Sequence, residues 1–261
     1  MGSSMVQGML WGAAASDYAE LQEPFSIPLW TSMLDAAQVK AGVTVFDAGC
    51  GAGGLSVIAA QRGAVVSGID ASDTLIAIAK RAVPKGDFRI GDLEELPYAG
   101  QAYKVVIASN VIQYCTNPVA ALRELRRVCT PTGRVLIASW GRIEDCDFHG
   151  VYQAMGAELP GGPPKDGPFL LSEPEALENI LNEAGLVVVS TKGVECPFTY
   201  PDEDTFWRAQ RSTGHVQRGM QMVEEERLRD AAIGAISRFT KKDGTIRLEN
   251  RFRFAVTQLN P

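Results

Sequence analysis

Residues 45–54 read V-F-D-A-G-C-G-A-G-G, a glycine-rich bend between an apolar β-branched run and an apolar helix-forming run. Glycines let the backbone turn tightly and let a ligand approach the main chain without meeting a Cβ. The helix that follows presents unpaired N–H groups at its start. The pattern is that of a loop for a nucleotide-type cofactor. Gly49, Gly51 and Gly54 satisfy G-x-G-x-x-G, the dinucleotide fingerprint. Asp70, closing the next strand, stands where an acid would hold ribose hydroxyls. On these residues alone an NAD(P)-dependent oxidoreductase remains open.

Three features favour a positively charged cofactor instead. Asp47 lies inside the first strand, where a pyrophosphate would be repelled and a sulfonium with an ammonium group would be attracted. A further acid, Asp92, ends the third strand in G-D-L-E-E-L-P, residues 91–97, and next to the Leu93 N–H it could read an adenine edge. The fourth strand ends in S-N-V-I-Q-Y, residues 109–114, at the carboxyl edge where ligands bind in such folds. No Tyr-x-x-x-Lys pair follows that strand, which counts against the oxidoreductase.

The elements that must hold these residues alternate. Strands read over 43–47, 65–70, 88–92, 104–108 and 134–140, separated by helices over 55–62, 72–82 and from Pro118 onward. Ser72 is the expected N-cap of the second helix, and Thr130-Pro131-Thr132-Gly133 reads as a turn. Strands joined by helical crossovers imply a parallel sheet covered on both faces. Upstream, 12–21 and 29–39 read as two helical pieces interrupted by Pro24 and Pro28. Downstream, 142–171 is Gly- and Pro-rich and reads as a loop-rich cap. The run 177–185 is an amphipathic helix, entered through Ser172–Glu175 and closed at Gly185. Residues 186–190 are a strand, 202–240 mostly helical, and 245–257 one long final strand.

The motifs resemble those of class I S-adenosylmethionine-dependent methyltransferases: D-A-G-C-G-A-G at 47–53, G-I-D-A-S at 68–72, G-D-L-E-E-L-P at 91–97, and E-L-R-R-V-C-T-P-T-G-R at 124–134. The likeness extends to the ubiquinone and menaquinone methyltransferases and to natural-product methyltransferases. It is strong over about residues 40–141, and Thr132 departs from the usual Pro-Gly-Gly turn. It implies an α/β, doubly wound, mostly parallel seven-stranded Rossmann-like sheet with N-terminal lid helices and a C-terminal-half cap. The division expected is 1–40 lid helices, 41–141 cofactor-binding core, and 142–261 the remaining sheet with cap insertions at about 142–171 and 199–244. It implies S-adenosyl-L-methionine as cofactor. Gly49, Cys50 and Gly51, with Asp47, would lie along its methionine portion, Asp70 at the ribose, Ala71 beside the adenine, Asp92 and Leu93 at the adenine edge and face, and Asn110 near the sulfonium.

Methyl transfer from a sulfonium is an in-line displacement whose main requirement is alignment, worth on the order of 7–11 kcal/mol. The expected acceptor is a small molecule presenting O, N or activated C. A non-catalytic cofactor-binding protein is the further alternative, marked by a filled acceptor pocket. Tyr18 and Trp11 on the first helix read either as a lid touching the cofactor or as ordinary packing. His149, just past the fifth strand, is the candidate general base, and His215 is assigned to the surface. Two of the six aromatics Tyr114, Trp140, Phe148, Phe169, Phe198 and Trp207 are expected in the acceptor pocket.

A formal charge of −6 argues against nucleic acid as a partner, and no apolar run suggests a membrane span. Five cysteines without CxxC spacing and two histidines argue against a metal site. The odd cysteine count and lack of a signal peptide point to the cytoplasm. The opening 1–4 reads as a fusion scar and is left out of the fold. Monomer and homodimer both remain open.

Overall fold

The computed structural model of the protein describes residues 3–164, 167–173 and 175–259. In chain order its helices are α1 Ser3–Gly12, α2 Ala15–Asp17, α3 Ile27–Ala36, α4 Gly54–Gln61, α5 Asp73–Ala82, α6 Pro118–Val128, α7 Asp147–Ala157, α8 Ala176–Glu183, α9 Glu203–Arg211, α10 Gly214–Met220 and α11 Glu225–Ile236. Its strands are β1 Thr44–Ala48, β2 Val65–Asp70, β3 Asp87–Ile90, β4 Tyr103–Ser109, β5 Cys129–Trp140, β6 Leu186–Glu195, β7 Phe198–Tyr200, β8 Ile246–Leu248 and β9 Arg251–Leu259.

The main sheet has seven strands in the order β3-β2-β1-β4-β5-β9-β6. β1 to β5 run parallel, and β9 enters antiparallel between β5 and β6. The order reverses between β1 and β4, so their carboxyl ends splay helices to opposite faces and open a crevice there. Alternate residues of the central strands feed two separate cores. Val45, Val105, Ile107 and Leu136 face one, and Phe46, Val106, Val135 and Ile137 the other.

Local chemistry accounts for the element boundaries around the crevice. The Ser72 Oγ accepts the Leu75 N–H, capping α5. Asn117 caps α6, with Pro118 at the first helical position, where its missing N–H costs nothing. Gly185 follows α8 at φ +74°, the left-handed exit expected there.

Several segments differ from the sequence reading. The N-terminal helix begins at Ser3, inside the stretch set aside as a scar, and ends at Gly12. The chain then passes through α2, a π-helical turn over Tyr18–Gln22 and a 3-10 turn over Glu23–Ser26. Thr130–Gly133 is a bulge within β5, because pairing to β4 jumps from Cys129 to Arg134. The Gly- and Pro-rich cap contains α7, whose apolar spacing places Phe148, Val151, Tyr152 and Met155 inward. Of the expected entry to α8, Pro174 lies outside the described residues.

The long final strand is two. β8 pairs with β7 in a separate ribbon, and the chain turns at Glu249–Asn250 before β9 joins the main sheet. The buried Asn250 forms this corner. Its Oδ1 accepts the Phe148 N–H at 3.0 Å, its backbone carbonyl accepts the Cys196 N–H, and its amide donates to the Leu248 carbonyl. No helix among the described residues is long and apolar enough to cross a membrane.

Asn250→Ala leaves the buried Phe148 N–H without an acceptor, which should destabilise the protein by about 1–3 kcal/mol in denaturant unfolding. An unchanged midpoint would show that the corner is held by the backbone alone.

Candidate functional site

A deep cavity opens along the carboxyl ends of β1, β2 and β4, and it gathers every residue expected to meet the cofactor. Tyr18, Asp47, Gly49, Cys50, Gly51, Asp70, Ala71, Asp92, Leu93 and Asn110 all line it. The three acids converge, 47 from β1, 70 from the end of β2 and 92 from just past β3, which ends at Ile90, two residues short of the expected strand end.

The glycine loop is shaped by backbone that only glycine adopts freely. Gly49 and Gly51 lie at φ +69° and +54°. A side chain at 49 would strike Val111, and one at 51 would strike Glu23 and crowd Tyr18. Asp70 ties the loop to the second strand, with Oδ2 accepting the Gly51 N–H and Oδ1 the Ser72 N–H, both at 2.9 Å. The Asp47 carboxylate accepts the Ser56 hydroxyl at 2.7 Å. Asp92 accepts the Glu94 N–H at 2.9 Å. Asn110, just past β4, holds φ +55°, and its buried side-chain carbonyl has no partner.

Glu23 is the residue that sequence reasoning missed. It comes from the 3-10 turn after the N-terminal helices and is only 7% exposed. Its Oε1 accepts the Ala52 N–H at 2.7 Å, so it lies directly on the glycine loop. The one sequence signal was an acid immediately before Pro24, and the neighbouring Glu20 and Gln22 did not set it apart.

The electrostatics follow from burial. Burial, opposed by the Ala52 N–H and reinforced by Asp47 and Asp70, pushes the Glu23 carboxyl up to about 8. Burial likewise raises Asp47 to about 7, against the Ser56 hydrogen bond. It raises Asp70 as well, against three backbone N–H groups. Among the described residues no Lys or Arg lines the cavity. Buried carboxylates without a counter-charge are costly. A cation entering here would relieve that cost, and a pyrophosphate would increase it. The dinucleotide reading therefore fits the site poorly.

The far half of the cavity is aromatic. Four of the six candidate aromatics line it, Tyr114, Trp140, Phe148 and Phe198, where two were expected. Phe252 joins them, since the antiparallel register sets it opposite Trp140 with ring centroids 4.4 Å apart. Phe169 packs behind Trp140, and Trp207 donates to Glu225 elsewhere. Trp11 stands between the halves, edge-on to Tyr18 at 5.4 Å and to Tyr114 at 5.3 Å.

The two histidines exchange places relative to expectation. His149 does not line the cavity. It sits on the flank of α7, bonded to Gln153 and packed against Phe169, because the helical spacing gives the inward face to Phe148 and Tyr152. His215, assigned to the surface, lines the cavity at the start of α10.

Comparison with known proteins agrees with this geometry. Residues 46–137 match the family model described as a methyltransferase domain. The chain is 26% identical to a malonyl-[acyl-carrier protein] O-methyltransferase of Erwinia pyrifoliae, covering 92% of this chain and 91% of that one. It is 30% identical to a ubiquinone biosynthesis O-methyltransferase of Methylobacterium sp. (strain 4-46), over 66% of this chain and 70% of that one. A solved Bacillus halodurans C-125 protein described as a methyltransferase superposes with a TM-score of 0.62 at 15% identity, covering 89% of this chain and 99% of the other. The chain belongs to the class I S-adenosylmethionine-dependent methyltransferases. It uses S-adenosyl-L-methionine to methylate a small-molecule acceptor.

The raised carboxyls make stability and affinity depend on pH in opposite senses. Between pH 7 and 8.5 the unfolded chain's carboxyls are ionised, while the folded Glu23 and Asp47 still hold part of their protons. The native state then binds more protons, so stability falls as pH rises through this window. The melting temperature of the unliganded protein should drop from pH 7 to 8.5, and Glu23→Gln should flatten the slope. Calorimetric affinity for S-adenosylmethionine should rise over the same range. A flat wild-type melting profile would contradict the assignment.

Proposed function

We propose that the carboxyl-edge half of the cavity holds the cofactor and the aromatic half holds the acceptor. Asp70 would take the ribose hydroxyls, with Ala71 beside the adenine and Asp92 and Leu93 at its edge and face. Gly49, Cys50 and Gly51 would line the methionine portion, with Asp47 and Glu23 facing its positive charges and Asn110 near the sulfonium. Tyr18 and Trp11 would close over it. The observation that carries this reading is the cluster of buried Glu23 and Asp47 with part-buried Asp70, with no Lys or Arg among the described residues that line the cavity.

The bound cofactor supplies an activated methyl group on a good leaving group. The protein's own contribution is to hold and exclude. Loop N–H groups and carboxylates fix the cofactor's orientation, and the aromatic wall orients the acceptor and keeps water out. In so dry a site each charged contact counts for more than in water. The division into lid helices over 1–40, a cofactor core over 41–141 and a cap built from about 142–171 and 199–244 fits this scheme. α1 packs on α10, and α7 packs on α11. The net negative charge and the five free cysteines support a cytoplasmic protein that binds no nucleic acid.

Calorimetry tests the reading. S-adenosylmethionine should bind and NADH should not. Asp92→Ala, which removes a carboxylate that accepts the Glu94 N–H, should weaken the cofactor roughly 5- to 10-fold. NADH binding with S-adenosylmethionine ignored would overturn it.

A further inference from the structure

His215 presents a proton acceptor that nothing else in the cavity explains. The Thr213 hydroxyl donates its only proton to the Gln210 carbonyl at 2.6 Å. Its oxygen also meets the His215 Nε2 at 3.2 Å. With that proton committed, the contact is a hydrogen bond only if Nε2 donates. The neutral ring then carries its hydrogen on Nε2 and a bare lone pair on Nδ1. Nδ1 is buried and has no hydrogen-bond partner. A buried acceptor left unpaired in a cavity wall asks for a donor from whatever fills the cavity.

Thr213 is itself anchored. It bonds to the carbonyl of Gln210, whose side-chain amide donates to the Tyr200 hydroxyl at 3.0 Å, deep in the cap core. The His215 ring is enclosed edge-to-face by Trp11 of α1 and by Phe148 and Tyr152 of α7. Of these only Tyr152 can titrate, and no charged side chain lines this part of the cavity. Burial alone lowers the His215 pKa to about 4, so its lone pair is free at neutral pH.

We propose that the acceptor is a largely apolar ring compound bearing a hydroxyl group, and that His215 Nδ1 takes the hydroxyl proton as the methyl group is transferred. This rests on the cofactor placement above. The oxygen forms its bond to the methyl carbon while the carbon–sulfur bond breaks, and that electron pair stays on sulfur. The hydroxyl proton passes to Nδ1. The positive charge therefore moves from sulfonium to imidazole, and the dry cavity holds one cation before and after the step. The proton leaves to solvent when the product does. The aromatic wall of Trp140, Phe148, Phe198 and Phe252 favours a flat, apolar acceptor body. Thr213 acts as a positioning residue, fixing the tautomer.

The test uses the full chain, labelled S-adenosylmethionine at pH 8, and three probes of one shape: 2-naphthol, 2-naphthylamine and 2-naphthalenethiol. Wild type should methylate the naphthol. His215→Ala should lower its kcat/KM on the order of 100-fold, and should lower that of the thiol, already largely ionised, less than about 3-fold. Cofactor affinity should stay within about 2-fold. His215→Gln serves instead if the alanine variant melts early. Thr213→Val should cost about 10-fold with the same dependence on acceptor acidity. Equal losses on naphthol and thiol would overturn the proton-acceptor role. A wild type that binds S-adenosylmethionine yet turns over only the amine, only the thiol or none of the probes would overturn the hydroxyl class while leaving the cofactor reading intact. Failure to bind S-adenosylmethionine at all would instead strike that underlying reading.

Discussion

The architecture turns on a concentration of carboxyl groups with no Lys or Arg among the described residues around them. Glu23, Asp47 and Asp70 come from a 3-10 turn and two strand ends, and they meet beneath a loop whose glycines leave no side chain between them. Hydrogen bonds from Ala52, Gly51, Ser72 and Ser56 partly compensate the burial but supply no charge. The empty site is therefore the uncomfortable state, and ligand binding and folding energetics are linked through the same carboxyls. The positive-φ loop, the broken N-terminal helices and the Asn110 conformation are all ways of bringing polar groups to one point without filling it.

The second half of the cavity obeys the opposite rule. Its walls are aromatic, its one titratable nitrogen is kept neutral by burial, and its polar atoms are held by neutral groups such as Thr213 and Gln210. Two dielectric regimes thus adjoin within a single space, with Trp11 at the boundary. In the arrangement proposed above, the charged methyl donor takes the first and an uncharged acceptor the second, with the methyl group crossing between them.

The sheet was legible from sequence because its signals are local. Alternating apolar strands, a serine cap at 72, a proline at 118 and acids at strand ends each work within a few residues of themselves. So the convergence of Asp47, Asp70 and Asp92 on one cavity followed from strand order alone. What stayed hidden depends on contacts distant in sequence. Glu23 has no motif, and its role exists only because a π turn and a 3-10 turn swing it onto Ala52. His215 sits in a charged stretch, yet α10 packs beneath α1 and turns it inward, with its Nδ1 buried. The run 245–257 alternates like one strand, but Asn250 is more stable bonding Phe148 and Cys196 than continuing the ladder. His149 looked well placed by its distance from β5, and one step along a helix turned it away.

Trp11 and Gly214 lie so close that even a methyl group at 214 would collide with the indole. This wall of the cavity is thus a seam between the first helix of the chain and one from its last third, sewn by van der Waals contact and by no ion pair between these two residues. A ligand that leaves past that seam must part the two helices, and its dwell time is then coupled to the breathing of α1. Bulk at 214, one residue before His215, becomes a dial on that breathing.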